Sequence, residues 1–233
     1  MSILKLKAIS SRYKKILFGQ DVYFPIQHHC EKTYYGNHTN GWSINPSILN
    51  KESVVYSLGI GNDIKFDLAL IEKYGCEVHG FDPTPITLEW LKKQKIPSQF
   101  HIHPVAISDK DGEVTFYPPE ESYGWSSSMV QKDGTIDKSY QVPAKRISTL
   151  MKELGHSHID LLKMDIEGAE YPVVTDFLKE GIRPTQVLIE IHHRFQHLSL
   201  DHTKNMVKEL NDAGYKIFSI SPFGQEYSFI KVD

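Results

Sequence analysis

Two short apolar runs, each ending in chemically loaded residues, carry the first functional signal. Residues 53–58 read Ser-Val-Val-Tyr-Ser-Leu and break into Gly59-Ile60-Gly61-Asn62-Asp63. About twenty residues past the glycines, the run Glu77-Val78-His79-Gly80-Phe81 ends in Asp82. A glycine at position 59 permits a sharp turn, and one at 61 lets the backbone approach a ligand. An acid closing the next strand can accept hydrogen bonds from both hydroxyls of a ribose. A pyrophosphate-binding turn needs a third glycine for close helix packing, and Ile64 stands there instead. The pattern therefore points to a ribose-bearing cofactor without a phosphate bridge, such as S-adenosylmethionine, rather than to NAD. Asn62 and Asp63 are placed to reach such a cofactor, although Asn62 would equally cap the following helix.

A second set of groups follows the later runs. Asp165 closes the run 159–164, and Glu190 and His192 sit at the end of 186–192. Two residues apart in a strand, Glu190 and His192 project to one face. With Asp165 they form the candidate catalytic set, and two chemistries stand open. The three could hold Mg2+ or Mn2+ against an acceptor oxygen and lower its pKa. Alternatively His192 could act as a general base with a carboxylate orienting it. Oxygen-rich Mg2+ sites usually show more carboxylates than can be placed here, which favours the metal-free reading. A purely structural role, with strand-end side chains satisfying loop backbone, is the competing account. Lys163 shares the face of Asp165 and suits a structural ion pair. Glu167 and Glu170 flank Gly168 at the start of a helix, where acids commonly complement the dipole. Glu167 is also a candidate acceptor contact, with His193 and Arg194 near the mouth. Tyr123, Trp125 and Ser126 to Ser128 lie in a polar stretch where an aromatic could stack on a sugar ring, making Trp125 a candidate substrate contact. Tyr35 and Trp42 precede the first strand and could line the cofactor.

Alternating strand and helix patterns must position these groups. Strand-type runs fall at 54–58, 77–81, 100–106, 159–164 and 186–192, with helical stretches at 62–74, 86–95, 169–179 and 202–213 between or after them. That alternation predicts an α/β, doubly wound, mostly parallel sheet whose strand ends form a crevice. Residues 112–117 alternate Val114 and Phe116 with Glu113 and Thr115, and predict an added β-hairpin arm, with 141–145 as a returning strand and 147–154 as a short helix. Residues 215–220 and 227–232 predict a closing hairpin around Ser221-Pro222-Phe223-Gly224.

Composition sets the outer bounds. The 233 residues are 40% hydrophobic and 24% charged, in the range of one globular domain with or without an arm. A net charge of −3 gives no reason to expect nucleic-acid binding. Lys5, Lys7, Arg12, Lys14 and Lys15 alternate with apolar residues near the start, predicting an amphipathic helix that packs on the body. No apolar run reaches the roughly 18 residues of a membrane span, and no secretory leader pattern is visible. Two cysteines, Cys30 and Cys76, make no disulfide framework, so a cytoplasmic setting is expected. His28, His29 and Cys30 match no common zinc spacing.

Taken together, residues 54–63, Gly80-Phe81-Asp82-Pro83-Thr84-Pro85, Leu162-Lys163-Met164-Asp165-Ile166-Glu167-Gly168-Ala169-Glu170 and Leu188-Ile189-Glu190-Ile191-His192-His193 resemble the FkbM family of S-adenosylmethionine-dependent methyltransferases. The likeness covers roughly residues 50–232, leaving 1–50 as an N-terminal arm near the cofactor cleft and 51–233 as the methyltransferase domain. It implies a Rossmann-like, class I methyltransferase sheet of seven strands with the last one antiparallel. It implies O-methylation of a small-molecule, sugar or glycan hydroxyl, and adenine covered by Val105 and Ala106. The rival functions are a nucleotide-dependent oxidoreductase and a noncatalytic Rossmann-like binding module.

Overall fold

Strands buried on both faces read as continuous apolar runs, and the two innermost strands do so. In β3 (Val54–Leu58) four of five residues are buried, and in β9 (Leu161–Met164) all four are. The computed structural model describes residues 3–37, 41–117, 139–195 and 197–232. Its main sheet has seven strands. β4 (Glu77–Phe81) and β5 (Phe100–His103) lie to one side of β3. On the other side of β9 come β10 (Gln186–Glu190), β12 (Glu226–Lys231) and β11 (Tyr215–Ile220). The order is β11-β12-β10-β9-β3-β4-β5, with β12 antiparallel to both neighbours and the remaining pairings parallel. This is the expected Rossmann-like α/β sheet. The order reverses between β3 and β9, so their carboxyl ends open the crevice.

Side-chain alternation divides the core between the two faces. Tyr56, Leu58, Leu162 and Met164 pack with α4 (Ile147–Leu154), α5 (Glu170–Lys179) and α6 (Leu200–Asp212). Val55, Val78, Leu161 and Leu188 pack on the other face with α2 (Lys65–Tyr74) and α3 (Pro85–Leu91). Each fully buried aliphatic side chain contributes about 1.5–3 kcal/mol. The helix expected at 86–95 stops at Leu91. The strand expected over 100–106 divides after His103, and β6 (Ala106–Ile107) turns away into a second sheet. There β6 runs parallel to β8 (Tyr140–Lys145), which pairs antiparallel with β7 (Gly112–Phe116). The expected hairpin arm is thus the outer part of a three-stranded sheet in the order β6-β8-β7.

The amino-terminal part comprises α1 (Ile3–Leu17) and the hairpin of β1 (Thr33–Gly36) and β2 (Gly41–Ile44). Buried polar ties fix it to the body. Asn45 donates its backbone N–H to Gln186 Oε1 at 2.6 Å and accepts from Gln186 Nε2 at 3.2 Å. Asp21 is buried against Arg194 at 2.6 Å. Among the described residues, no helix is long and apolar enough to cross a membrane.

Behind the Phe81 ring, on which His103 stacks at 4.7 Å, four histidines gather. The His79 ring stacks on His101 and His103 at 4.8 and 5.3 Å and meets His156 edge-on at 4.6 Å. Burial first, then the neighbouring imidazoles, pushes His79 down to about 3, and burial also lowers His103 and His156. An unfolded histidine titrates near pH 6.5, so the native state binds fewer protons below that value. The stabilising contribution is therefore complete above about pH 6.5 and is lost as pH falls toward the native value. Urea midpoints should fall between pH 7.5 and 5.0, and His79→Gln should flatten that dependence. An unchanged slope in the variant would remove the cluster from the acid response.

Candidate active site

The turn after β3 is built by one close approach. Gly59 has φ +78°, and a Cβ there would lie 1.8 Å from the carbonyl oxygen of Asp165. Only glycine fits both demands. The Gly59 N–H donates to Phe81 O at 3.0 Å, the Asp165 N–H donates to Leu58 O at 3.0 Å, and Lys163 Nζ donates to Gly59 O at 2.7 Å. Lys163 thus braces the turn, with its ammonium 5.9 Å from the centre of the Trp42 ring. Gly61 has φ +57° and open space where a side chain would stand.

Asp82 supports the same turn from the neighbouring strand. Its Oδ2 accepts from the backbone N–H groups of Ile60 and Gly61, both at 3.0 Å, and its Oδ1 accepts from Thr84 N–H at 2.8 Å. A carboxylate offers about four lone-pair sites, so these bonds leave about one, on Oδ1. Asp82 thus both supports the turn and keeps accepting capacity on Oδ1. Asn62 and Asp63 line the same cavity. Asp63 Oδ1 accepts from the first helical N–H, Lys65, at 2.9 Å, so the capping task falls to Asp63 rather than Asn62.

Phe81, Ala106, Ile107 and Phe116 provide an apolar wall. Val105 does not belong to it. Its side chain is buried in the main core and does not line the cavity. Ile107 and Phe116 were not singled out by the sequence. Both come from the second sheet, whose docking over the crevice has no local signature. Trp42 lines the cavity, whereas the Tyr35 hydroxyl lies 3.0 Å from that of Tyr74.

At the other end of the cavity, Asp165, Glu190 and His192 come together, with one ligand-type atom from each lying within 4.8 Å of the others. His192 follows β10 rather than lying within it, yet its Nε2 is 3.9 Å from Asp165 Oδ1 and 4.0 Å from Glu190 Oε1. Its Nδ1 is 2.9 Å from Glu170 Oε1. Glu170 is fully buried and also accepts from the N–H groups of Ile166 and Gly168, at 2.9 and 3.0 Å. It is therefore the residue that orients His192, a role hidden behind its ordinary position in a first helical turn. Glu226, opposite Glu190 on β12, also lines the cavity, and its Oε2 is buried without a hydrogen-bond partner. Nothing local in the sequence marks Glu226, since only the pairing of β10 with β12 brings it here.

The electrostatics follow from this crowding. Burial first, then Asp165, pushes Glu190 up to about 8. Burial opposes charge on His192, but Glu170, Asp165 and Glu167 outweigh it and raise the imidazole to about 10. Burial and Asp165 also raise Glu226.

Glu167 lines the cavity with φ +54°, the one positive φ among the described non-glycine residues. Such a conformation is strained and tends to occur at functional sites. His193 departs from expectation. It is buried, bonded through Nδ1 to Thr203 Oγ1 at 3.0 Å, with Nε2 3.6 Å from Asp21 Oδ1, and it does not line the cavity. Its burial behind the loop makes it a tie to the amino-terminal part rather than an acceptor contact. Tyr123, Trp125 and Ser126 to Ser128 lie outside the described residues.

A glycine turn, a strand-end acid and an acidic cluster on the crevice of this sheet belong to a Rossmann-like α/β architecture. The model of the methyltransferase FkbM domain matches residues 61–217, and the chain belongs to that family. It is 25% identical over 198 residues to a human protein described as probable methyltransferase-like protein 24, covering 80% of this chain and 48% of that one. It is 27% identical over 145 residues to the 2-O-methyltransferase NoeI of Sinorhizobium fredii (strain NBRC 101917 / NGR234), covering 55% and 59% respectively. The chain thus spans about half the length of the curated methyltransferase-like relatives it matches. Among solved structures it is similar to the methyltransferase FkbM of Methylobacillus flagellatus KT, with a TM-score of 0.48 and 15% identity, covering 78% of this chain and 44% of that one.

The two glycines separate structural from ligand-facing roles. Gly59→Ala forces a Cβ into backbone and should cost more than about 4 kcal/mol or prevent folding. Gly61→Ala meets open space and should cost only the left-handed penalty of about 1–2 kcal/mol. Urea denaturation of both variants checks this, and equal losses would contradict it.

Proposed function

We propose that the protein transfers a methyl group from S-adenosylmethionine to a hydroxyl of a small-molecule, sugar or glycan acceptor. The observation that carries this reading is one continuous cavity. It is bounded at one end by Gly59 to Asp63 and Asp82, and at the other by Asp165, Glu190 and Glu226. Family membership and the 2-O-methyltransferase named among the relatives support the choice of reaction.

The residues fit the cofactor. The open side of Gly61 admits a ligand against the backbone, and the remaining lone pair of Asp82 Oδ1 suits one ribose hydroxyl. Phe81, Ala106, Ile107 and Phe116 suit a flat, apolar-faced base. Asp63, Asp165 and Glu167 place negative charge around the remainder, which suits a ligand bearing an ammonium and a sulfonium. When bound, S-adenosylmethionine supplies a methyl group already activated by the positive sulfur, which departs as a neutral thioether.

The chain's own task is then to hold the acceptor oxygen in line and take its proton. The Asp165–Glu190–His192 cluster does both, titrating as a unit rather than as separate residues. Glu190 lies in that cluster and lines the cavity, which places a carboxyl group where that proton leaves. Glu170 holds His192 in place without touching the cavity. Two cysteines that remain free in the fold suit a reducing, cytoplasmic setting.

Calorimetry with S-adenosylmethionine and with S-adenosylhomocysteine tests the reading. Both should bind. Asp82→Asn should weaken both by about tenfold or more, equivalent to about 1.4 kcal/mol. Glu190→Gln should keep the affinity within about threefold while lowering formation of S-adenosylhomocysteine on a panel of sugars and polyols by about 100-fold. Absence of binding to either nucleoside by folded protein would sink the proposal.

A further inference from the structure

We propose that Asp165, Glu190 and His192 form a divalent-cation site of Mn2+ type at the acceptor end of the cavity, with Glu170 as its buried orienting carboxylate. The inference rests on the reading that this cavity is where the acceptor hydroxyl is methylated. It adds that a cation holds that hydroxyl.

The donor and acceptor pattern carries the case. Glu170 already accepts two backbone N–H groups, so it meets His192 as an acceptor and Nδ1 is the donor. In the neutral ring this leaves the Nε2 lone pair facing the carboxyl groups of Asp165 and Glu190. A protonated Nε2 would draw a carboxylate to hydrogen-bond range, about 2.7–3.2 Å. Both nearest oxygens instead stand back, at 3.9 and 4.0 Å, and Nε2 has no hydrogen-bond partner among the described residues. Atoms spaced this way surround a centre about 2.2–2.5 Å from each, within the range of divalent cation–oxygen bonds.

Further features agree. A metal-binding histidine almost always gives its other nitrogen to a carboxylate or carbonyl, and Glu170 does so here with its remaining capacity spent on backbone. Glu226 Oε2 is buried without a hydrogen-bond partner on the same cavity, adding a carboxylate beyond those visible in the sequence. One imidazole with two carboxylates is a mixed donor set that suits Mn2+ better than the all-oxygen sets preferred by Mg2+. A cation here retains open positions toward the cavity, where an acceptor hydroxyl would be polarised and aligned.

The test uses the full chain and Mn2+ alone, read by loss of the free-ion electron paramagnetic resonance signal. About one ion should bind per chain, without any nucleoside or acceptor present. Glu190→Gln and Asp165→Asn, isosteric changes verified as folded by circular dichroism, should abolish binding. Glu170→Gln, verified as folded in the same way, should weaken it by about 10–100-fold. No bound Mn2+ at millimolar concentration, or binding unchanged in both isosteric variants, would overturn the proposal. Calorimetry with S-adenosylmethionine on the same sample separates outcomes: cofactor binding without Mn2+ binding sinks the cation site alone, and Mn2+ binding without cofactor binding sinks the methyltransferase reading instead.

Discussion

The contact between Gly59 and the carbonyl of Asp165 holds the site together. It lets the ends of β3 and β9 touch backbone to backbone, at a separation that any side chain on residue 59 would prevent. Lys163 then closes the junction by bonding to Gly59 O, and Asp82 ties down the amides on the far side of the turn. The nucleoside half of the cavity hangs on β3 and β4, and the acidic half on β9, β10 and β12. Without this junction they would be two separate crevices.

The arrangement also explains an unusual concentration of acids. Asp165, Glu190 and Glu226 face one space, with Glu167 beside them in a strained backbone conformation. Burial penalises each charge, so such a cluster persists only if something compensates. His192 compensates in part, and Glu170 fixes where its charge or lone pair points. A positively charged ligand, a metal ion or both would complete the balance during turnover.

Legibility in the sequence followed the range of the interactions. Gly59, Gly61 and Asp82 declare themselves because turn geometry and strand ends are local. Asp165 and Glu190 are readable as strand-end acids once alternation predicts a parallel sheet. Glu226 and Phe116 were not, because each reaches the cavity only through a pairing or sheet docking set by distant residues. Of the two residues expected over the adenine, Ala106 lines the cavity and Val105 packs in the main core, a division that no local pattern announces. Glu170 was visible but masked, since an acid in a first helical turn has an ordinary explanation. His193 shares its neighbour's chemistry but turns away to meet Thr203 and Asp21, and no spacing rule encodes that choice.

The central claim is that one cavity spans both halves, with the nucleoside's sugar on Asp82 and its sulfur beside Asp165. Diffraction from crystals soaked with S-adenosylhomocysteine tests it most directly. A ribose hydroxyl should be bonded to Asp82 Oδ1, with the thioether directed toward the Asp165–Glu190–His192 cluster. A nucleoside bound elsewhere, or lying in this cavity with its sulfur turned away from Asp165, would contradict it.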